Sequence, residues 1–274
     1  MTKMSNPVKQ GNHKIDLDTI SSISKRYKTI TKAVNRDFWN SSSEIAHSRY
    51  VGSYGRGTAI NTSDLDVLIE LPDSEYERFA SSRGNGPSRL LQAVKNAILE
   101  TYPRTDVKGD GQVVVVNFSD GMKFEILPAF VNHNWWENGK YKYPDTHMGG
   151  NWMSTDPLAE QEAMKIKNDK SNGLLFETCK HIRYVRAENF SSYHLSGILV
   201  DSFVYAAIGD WRFPRADETL QCSGPTYEEY LFDRYENMLL YPNWQPPILR
   251  APGSGMEVVG DDWEVLGKVL KKMV

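Results

Sequence analysis

Asp64 and Asp66, separated by one residue, follow the pair Gly52-Ser53, with eleven residues from Ser53 to Asp64. Leu65, Val67 and Ile69 alternate with them. Residues two apart on a strand point to one face. Asp64 and Asp66 therefore present two carboxylates side by side, while Leu65, Val67 and Ile69 face a core. Two carboxylates on one rigid edge bind hard divalent cations, above all Mg²⁺, which takes oxygen ligands and leaves room for phosphates. Gly52 lets the backbone approach a ligand closely, and Ser53 offers a hydroxyl and an amide to phosphate oxygens. A third carboxylate, Glu125, lies on a later strand, Met122 to Leu127. There it shares a face with Lys123 and Leu127, opposite Met122, Phe124 and Ile126. Three carboxylates of this kind hold two ions about 3.5–4 Å apart, which clamp the attacking and leaving oxygens of a phosphoryl transfer. The competing reading of a lone Asp-x-Asp is a solvated strand face. The Gly-Ser turn and the third carboxylate favour the catalytic one.

The elements that must position these groups are legible in outline. Ile15, Ile20, Ile23, Tyr27, Ile30, Val34 and Phe38 recur at helical spacing and predict a long helix over 14–39, capped by Asp16 or Asp18. It feeds through Ser41-Ser42-Ser43 into the strand that carries Gly52-Ser53. Helices are predicted over 74–82 and 88–101, split by the turn Gly84-Asn85-Gly86-Pro87. Val113 to Phe118 and Met122 to Leu127 form a hairpin about Ser119-Asp120-Gly121, with Pro128 closing the second strand. Residues 131–157 are rich in aromatics, Asn, Gly and Pro and are expected to form a long irregular loop. Helices are expected over 157–170, 173–188, 194–209, 226–240 and 261–273, with Pro242 to Gly255 as a connecting loop. The fold class is α/β (α+β): a flexible terminus over 1–13, a catalytic core with a small mixed sheet over 14–156, and a helical lobe over 157–274. The active site is expected in the cleft between core and lobe.

Composition excludes several classes. At 274 residues, 40% hydrophobic and 24% charged, the chain reads as an ordinary soluble protein. No apolar run approaches the about 20 residues of a membrane span, and Met1 to His13 lacks an apolar signal region. Cys179 and Cys222 are too few for a disulfide framework or a cysteine-rich zinc module, which points to a reducing cytoplasm. A net charge of -3 argues against a surface built for long nucleic acid. His133, His147, His181 and His194 have no metal-ligand spacing and are assigned ordinary hydrogen bonds. Trp135-Trp136 either pack the long loop or line a base pocket. Cys179 is read as a buried helix residue.

The Gly-Ser, Asp-x-Asp and third-carboxylate arrangement resembles the DNA polymerase β-type nucleotidyltransferase superfamily. Phe124-Glu125-Ile126-Leu127-Pro128-Ala129-Phe130 resembles a strand end of the cyclic GMP-AMP synthase/DncV-like nucleotidyltransferases of bacteria. Gly149-Gly150-Asn151-Trp152-Met153-Ser154-Thr155-Asp156-Pro157 resembles the Trp–Thr-x-Pro loop that follows there, and Phe190-Ser191-Ser192-Tyr193-His194 the Ser-Tyr helix start of the animal members. The resemblance spans about residues 14 to 210. It implies synthesis of a cyclic di- or trinucleotide from nucleoside triphosphates (ATP, GTP or pyrimidine triphosphates), with release of pyrophosphate, in bacterial anti-phage signalling through a separate effector. It further implies a polymerase β-like core with a spine helix. Two Mg²⁺ ions, replaceable by Mn²⁺, would be held by Asp64, Asp66 and Glu125, the last standing where Asp is usual. Gly52 and Ser53 would meet the β- and γ-phosphates. Ser192 would contact the triphosphate from a helix start, Tyr193 would stack on a base or be a half-buried aromatic, and one of Lys180, Arg183 and Arg186 would reach the phosphates, Arg186 matching best. The zinc-bearing insert of the animal members is missing, so no long DNA is required, and the chain is read as a monomer. The alternatives are a transferase that modifies a protein, an RNA end or a small molecule, and a nucleotide-binding pseudoenzyme.

Overall fold

The computed structural model describes residues 7–61, 64–133, 139–216, 218, 224–240, 248–258 and 262–274. The chain forms two compact units, Asp16–Gly55 with Ser63–Leu158, and Met1–Ile15 with Arg56–Thr62 and Ala159–Val274. In the first, α1 (Leu17–Trp39) buries Ile23, Tyr27, Ile30 and Val34, one apolar stripe at helical spacing. Asp16 caps it by accepting from the Thr19 N–H at 2.8 Å. There follow β1 (Ser48–Tyr50), the single helical turn α2 (Gly52–Gly55), β2 (Leu65–Glu70), α3 (Asp73–Ala80) and α4 (Gly86–Thr101). The strands β3 (Asp106–Asp110), β4 (Val113–Asn117), β5 (Lys123–Val131), β6 (Tyr141–Asp145) and β7 (Asn151–Thr155) complete the unit. Among the described residues the sheet order is β1-β2-β5-β4-β3, with β6 on β5 and β7 on β6. β2 and β5 run parallel, and the other pairs are antiparallel. Leu65, Val67 and Ile69 of β2 share a core with Phe124 and Ile126 of β5 and with the buried faces of α1 and α4. On the opposite face Leu68 packs with Val51, Ala129 and Tyr141. β2 is thus covered on both sides beyond its first residues.

The second unit is helical: α5 (Pro157–Lys170), which begins at the boundary, α6 (Leu174–Asn189), α7 (Gly197–Ala207), α8 (Tyr227–Leu239) and α9 (Trp263–Met273), with a small hairpin of β8 (Leu249–Arg250) and β9 (Glu257–Val258). Its core gathers Ile182, Val185, Phe203, Val204, Leu266 and Leu270. Thr226 and Glu229 close a reciprocal capping box at the start of α8. Among the described residues no helix is long and apolar enough to cross a membrane.

Four expectations need correction. Residues 7–13, expected to be flexible, pack on the helical unit. Val8 is buried in its core, its N–H donates to Glu228, the Gly11 N–H donates to Glu177, and His13 stacks on Tyr184. Pro128 does not close its strand. β5 continues to Val131, because Pro128 falls after the last β4 pair at Ile126 and before the first β6 pair at Phe130, where its missing N–H leaves no ladder bond unmade. Residues 141–155, expected as loop, form the β6–β7 hairpin. Its signal is masked by Pro144 and the glycine turn, and it is held by Tyr141 and by Trp152, which packs edge-on to Tyr76 and Phe130. Finally, the helix expected from 194 begins at Gly197, so Ser192 and Tyr193 lie in the preceding loop. Trp135, Trp136 and Cys222 lie outside the described residues.

One ion network lies at the centre of the helical unit. Asp201 of α7 is fully buried between Arg56, whose Nε donates at 2.8 Å, and Arg183, whose guanidinium lies at 2.8 Å. The Thr58 hydroxyl also donates to it at 3.0 Å, and Arg56 reaches Glu160 at 3.0 Å. Burial alone raises the Asp201 pKa, but the two guanidiniums outweigh it and hold the carboxyl below its ordinary range. Its contribution to stability is therefore complete above the unfolded pKa and is lost as pH falls through the lower folded one. Removing the acid takes a carboxylate from two guanidiniums that are largely withdrawn from water. Asp201→Ala should cost about 3–5 kcal/mol of unfolding free energy in urea titrations near neutral pH. A loss below about 1 kcal/mol, the value of an exposed pair, would show that the network is not a buried one in solution.

Candidate active site

The carboxylates are placed by the parallel register of β2 on β5. Leu65 pairs with Phe124 and Asp66 with Glu125, so these two acids stand as neighbours on adjoining strands. Strands in a sheet are about 4.8 Å apart, which brings such side chains within reach of one ion. Asp64 immediately precedes β2, as Lys123 precedes Phe124, the first β5 residue paired with β2. Lys123 was not foreseen as part of the site. Its Nζ lies 3.0 Å from Asp64 Oδ2 and 2.6 Å from Glu125 Oε1. Partial burial works against the ammonium, but the hydrogen bonds and charges of the two acids win, and its pKa rises above the usual lysine range.

Gly52 opens α2 with φ of 57°, and a Cβ there would stand 1.8 Å from Asp66 Oδ2. The Asp66 carboxylate thus occupies the space that glycine leaves, and the Val51 N–H donates to the Asp66 carbonyl at 2.9 Å. Only a residue that accepts positive φ and has no side chain fits. Ser53 sits in the same turn. The Gly-Ser turn and the Asp-x-Asp strand are therefore packed as one piece.

The donor set suits a hard cation. It is all oxygen, it lies on two adjacent strands, and Asp64 and Glu125 already accept a cationic group between them. Among the described residues no three carboxylates, imidazoles or thiols are gathered closely enough to hold an ion together. The Lys123 ammonium lies between Asp64 and Glu125 instead.

The helical-unit residues are distributed differently from expectation. Arg183 is committed to Asp201 and to the Gly197 carbonyl, so it is structural. Lys180 pairs with Glu177 at 3.2 Å. Arg186 donates through Nε to the Tyr193 carbonyl at 2.9 Å and so fixes the loop that carries Ser192. Ser192 and Tyr193 are exposed, and Lys268 of α9 lies 4.9 Å above the Tyr193 ring. Asp262 holds the same loop through His194 and the Ser196 N–H, both at 2.9 Å. The free amides of a helix start are therefore not beside Ser192. The other histidines have ordinary partners: His133 with Asp73, His147 with Asp145, and His181 with His13. Cys179 is buried, which raises its thiol pKa well above the ordinary value.

Arg56, Asp201, Lys123 and Lys268 were not read as site or framework residues. Two left a signal. Arg56 is the one charged residue between Val51 and Ser63, and Asp201 the one charged residue between Leu199 and Ile208. An isolated charge in an apolar or glycine-rich stretch marks a group that has a buried partner.

Comparison with known proteins supports the fold and gives the family. The structure of Elizabethkingia meningoseptica CdnE cyclic dinucleotide synthase, solved with GTP and Apcpp, matches with a TM-score of 0.62 at 13% identity, over 94% of this chain and 97% of that one. Rhodothermus marinus CdnE c-UMP-AMP synthase matches with a TM-score of 0.61 at 14% identity, over 92% and 90%. Vibrio cholerae DncV cyclic AMP-GMP synthase matches with a TM-score of 0.54 at 11% identity, over 82% and 60%. At these identities the likeness is one of fold. A "Probable cyclic nucleotide synthase" of Bacillus cereus strain VD146 is 27% identical over 159 residues, 54% of this chain and 47% of that protein, so the match spans about half of the relative's length. The model of the Second Messenger Oligonucleotide or Dinucleotide Synthetase domain matches residues 3–168, more than half of the chain, and the protein belongs to that family.

Proposed function

We propose that the protein joins nucleoside triphosphates into a cyclic di- or oligonucleotide and releases pyrophosphate. The observation that carries this reading is the β2–β5 register, which sets Asp66 beside Glu125 and against Gly52, in a chain of the second-messenger synthetase family. Asp64, Asp66 and Glu125 are the residues that would hold Mg²⁺, which when bound supplies charge neutralisation at the phosphates and lowers the proton affinity of the acceptor hydroxyl. Ser53 and the amides of α2 bind the β- and γ-phosphates. Glu125 orients the acceptor hydroxyl and takes its proton. The hydroxyl oxygen forms a bond to the α-phosphorus, the bond from that phosphorus to the β-bridging oxygen breaks, and pyrophosphate departs. Each further bond forms in the same way, and a last transfer within the linear product, again with loss of pyrophosphate, closes the ring. Arg186 and Ser192 add contacts to the donor triphosphate from the helical unit, and Tyr193 gives a ring face for a base. The proposed setting is bacterial cytoplasm, and the proposed role is a defence signal to phage infection read by a separate effector.

The deciding experiment incubates salt-washed protein with labelled ATP, GTP, CTP and UTP and Mg²⁺ or Mn²⁺, without nucleic acid, and resolves the products. A cyclic oligonucleotide is expected. Nucleotide attached to protein, an RNA end or a small molecule would overturn the reading in favour of a modifying transferase. Asp64→Asn with Asp66→Asn should abolish product while the protein stays folded by circular dichroism. Glu125→Gln should lower the rate by about 10² or more, and Glu125→Asp should retain more activity, because charge survives and only reach changes.

Gly52→Ala probes the packing of the turn on Asp66. The added methyl must displace the carboxylate, and a shift of about 1 Å at a reacting centre costs about 10² in rate. Turnover near that of the unaltered protein would show that Asp66 is not held by this contact.

On the helical unit, Arg186→Ala and Ser192→Ala should each raise the Michaelis constant for triphosphate, whereas Tyr193→Phe should be nearly neutral. Arg183→Ala should act through stability, because its guanidinium is taken up by Asp201. Unchanged triphosphate affinity in both Arg186→Ala and Ser192→Ala would remove these two from the site.

A further inference from the structure

A cation of the chain's own stands where two of the candidate ion ligands meet. Lys123 and Glu125 lie on one face of β5; the register puts Glu125 across from Asp66, and Asp64 and Lys123 each stand one residue before the first pair of that ladder, Leu65 with Phe124. The ammonium lies 3.0 Å from Asp64 and 2.6 Å from Glu125. Three carboxylates on two adjoining strands repel one another, and a cation placed between them removes most of that cost. The lysine is not sealed in. Its side chain is 34% exposed, against 52% for Asp64 and 28% for Glu125. It is a single point charge on a flexible four-carbon stem, so it can leave without disturbing the strand.

We propose that Lys123 is a resident counter-cation: it holds Asp64 and Glu125 together before a divalent ion arrives and surrenders that position when the ion binds. The inference rests on reading Asp64, Asp66 and Glu125 as the ion site. Ion binding is then an exchange of one cation for another, and its affinity in the nucleotide-free protein is set low. The exchange favours an ion that arrives with a triphosphate, because the phosphate oxygens take over the ammonium that the carboxylates release. Lys123 is in this sense a positioning residue, acting through the acids it holds.

The test measures Mn²⁺ binding by electron paramagnetic resonance of the free ion, without nucleotide, on the unaltered protein, Lys123→Gln, Lys123→Met, Lys123→Arg and the triple variant Asp64→Asn, Asp66→Asn, Glu125→Gln. Thermal unfolding is followed with and without Mn²⁺. Lys123→Gln and Lys123→Met should bind Mn²⁺ about five- to tenfold more tightly, the ratio expected when two half-exposed ion pairs no longer have to be broken. Without the ion both should melt below the unaltered protein, and Mn²⁺ should raise their Tm more than it raises that of the unaltered protein. Lys123→Arg should keep the weak binding. Unchanged or weaker Mn²⁺ affinity in Lys123→Gln and Lys123→Met, with binding lost in the triple variant, overturns the role of Lys123 and leaves the carboxylate site standing. Mn²⁺ binding undiminished in the triple variant overturns the carboxylate site itself. Neutral variants that fold only when Mn²⁺ is present support the proposal. A folding defect that Mn²⁺ does not repair overturns it, since the lysine would then supply more than charge.

Discussion

The parallel pairing of β2 with β5 is the constraint on which the site depends. Strand side chains alternate with a period of two, so a one-residue slip of either strand would turn its acid, Asp66 or Glu125, into the core and take its apolar neighbours out of it. That slip is prohibited by burial. Val67, Ile69, Phe124 and Ile126 are all almost completely removed from water, and each such side chain contributes about 1.5–3 kcal/mol by its burial. The hydrophobic effect is non-directional, yet acting through alternation it fixes the face on which the acids emerge. The carboxylates gain their position from their apolar neighbours and add little to stability themselves.

The helical unit obeys a different rule. Its interior contains a buried aspartate between two arginines, with a hydroxyl and a second acid alongside. Such a cluster offers little net stability over an apolar core of the same shape, but it is specific: each member is satisfied only when all the others are in place. Arg56 comes from the segment between the Gly-Ser turn and Asp64, and it is claimed by α5 and α7. Arg56, the residue after α2, is therefore anchored within the helical unit.

Much of this was readable before any coordinates. The helical stripe of α1, the alternation at Asp64–Ile69 and the hairpin about Asp120 are local patterns, and local patterns survive in sequence. What could not be read was register. That Lys123 and Glu125 share a face follows from period two, but that the Lys123 ammonium meets Asp64 depends on how two separate strands pair. The β6–β7 hairpin was hidden because its strands are half exposed, contain Pro144, and draw their apolar contacts from Tyr76 and Phe130 on other elements. The loop at Ser192 was expected as a helix start because Phe190-Ser191-Ser192-Tyr193-His194 resembles the Ser-Tyr helix start of the animal members. It is held instead by Arg186 and Asp262, side chains that no local rule connects to it.

The interleaving of the two units bears on how the chain is made. Residues emerging from a ribosome can pair only with those already synthesised. β2 and β5 meet across a modest span, so the carboxylate sheet can assemble while the later helices are still being added. Arg56 has to wait longer, since Asp201 lies 145 residues further along. The Gly-Ser turn can pack against Asp66 as soon as that sheet forms, whereas Arg56, a few residues further on, meets its carboxylates only once α5 and α7 exist.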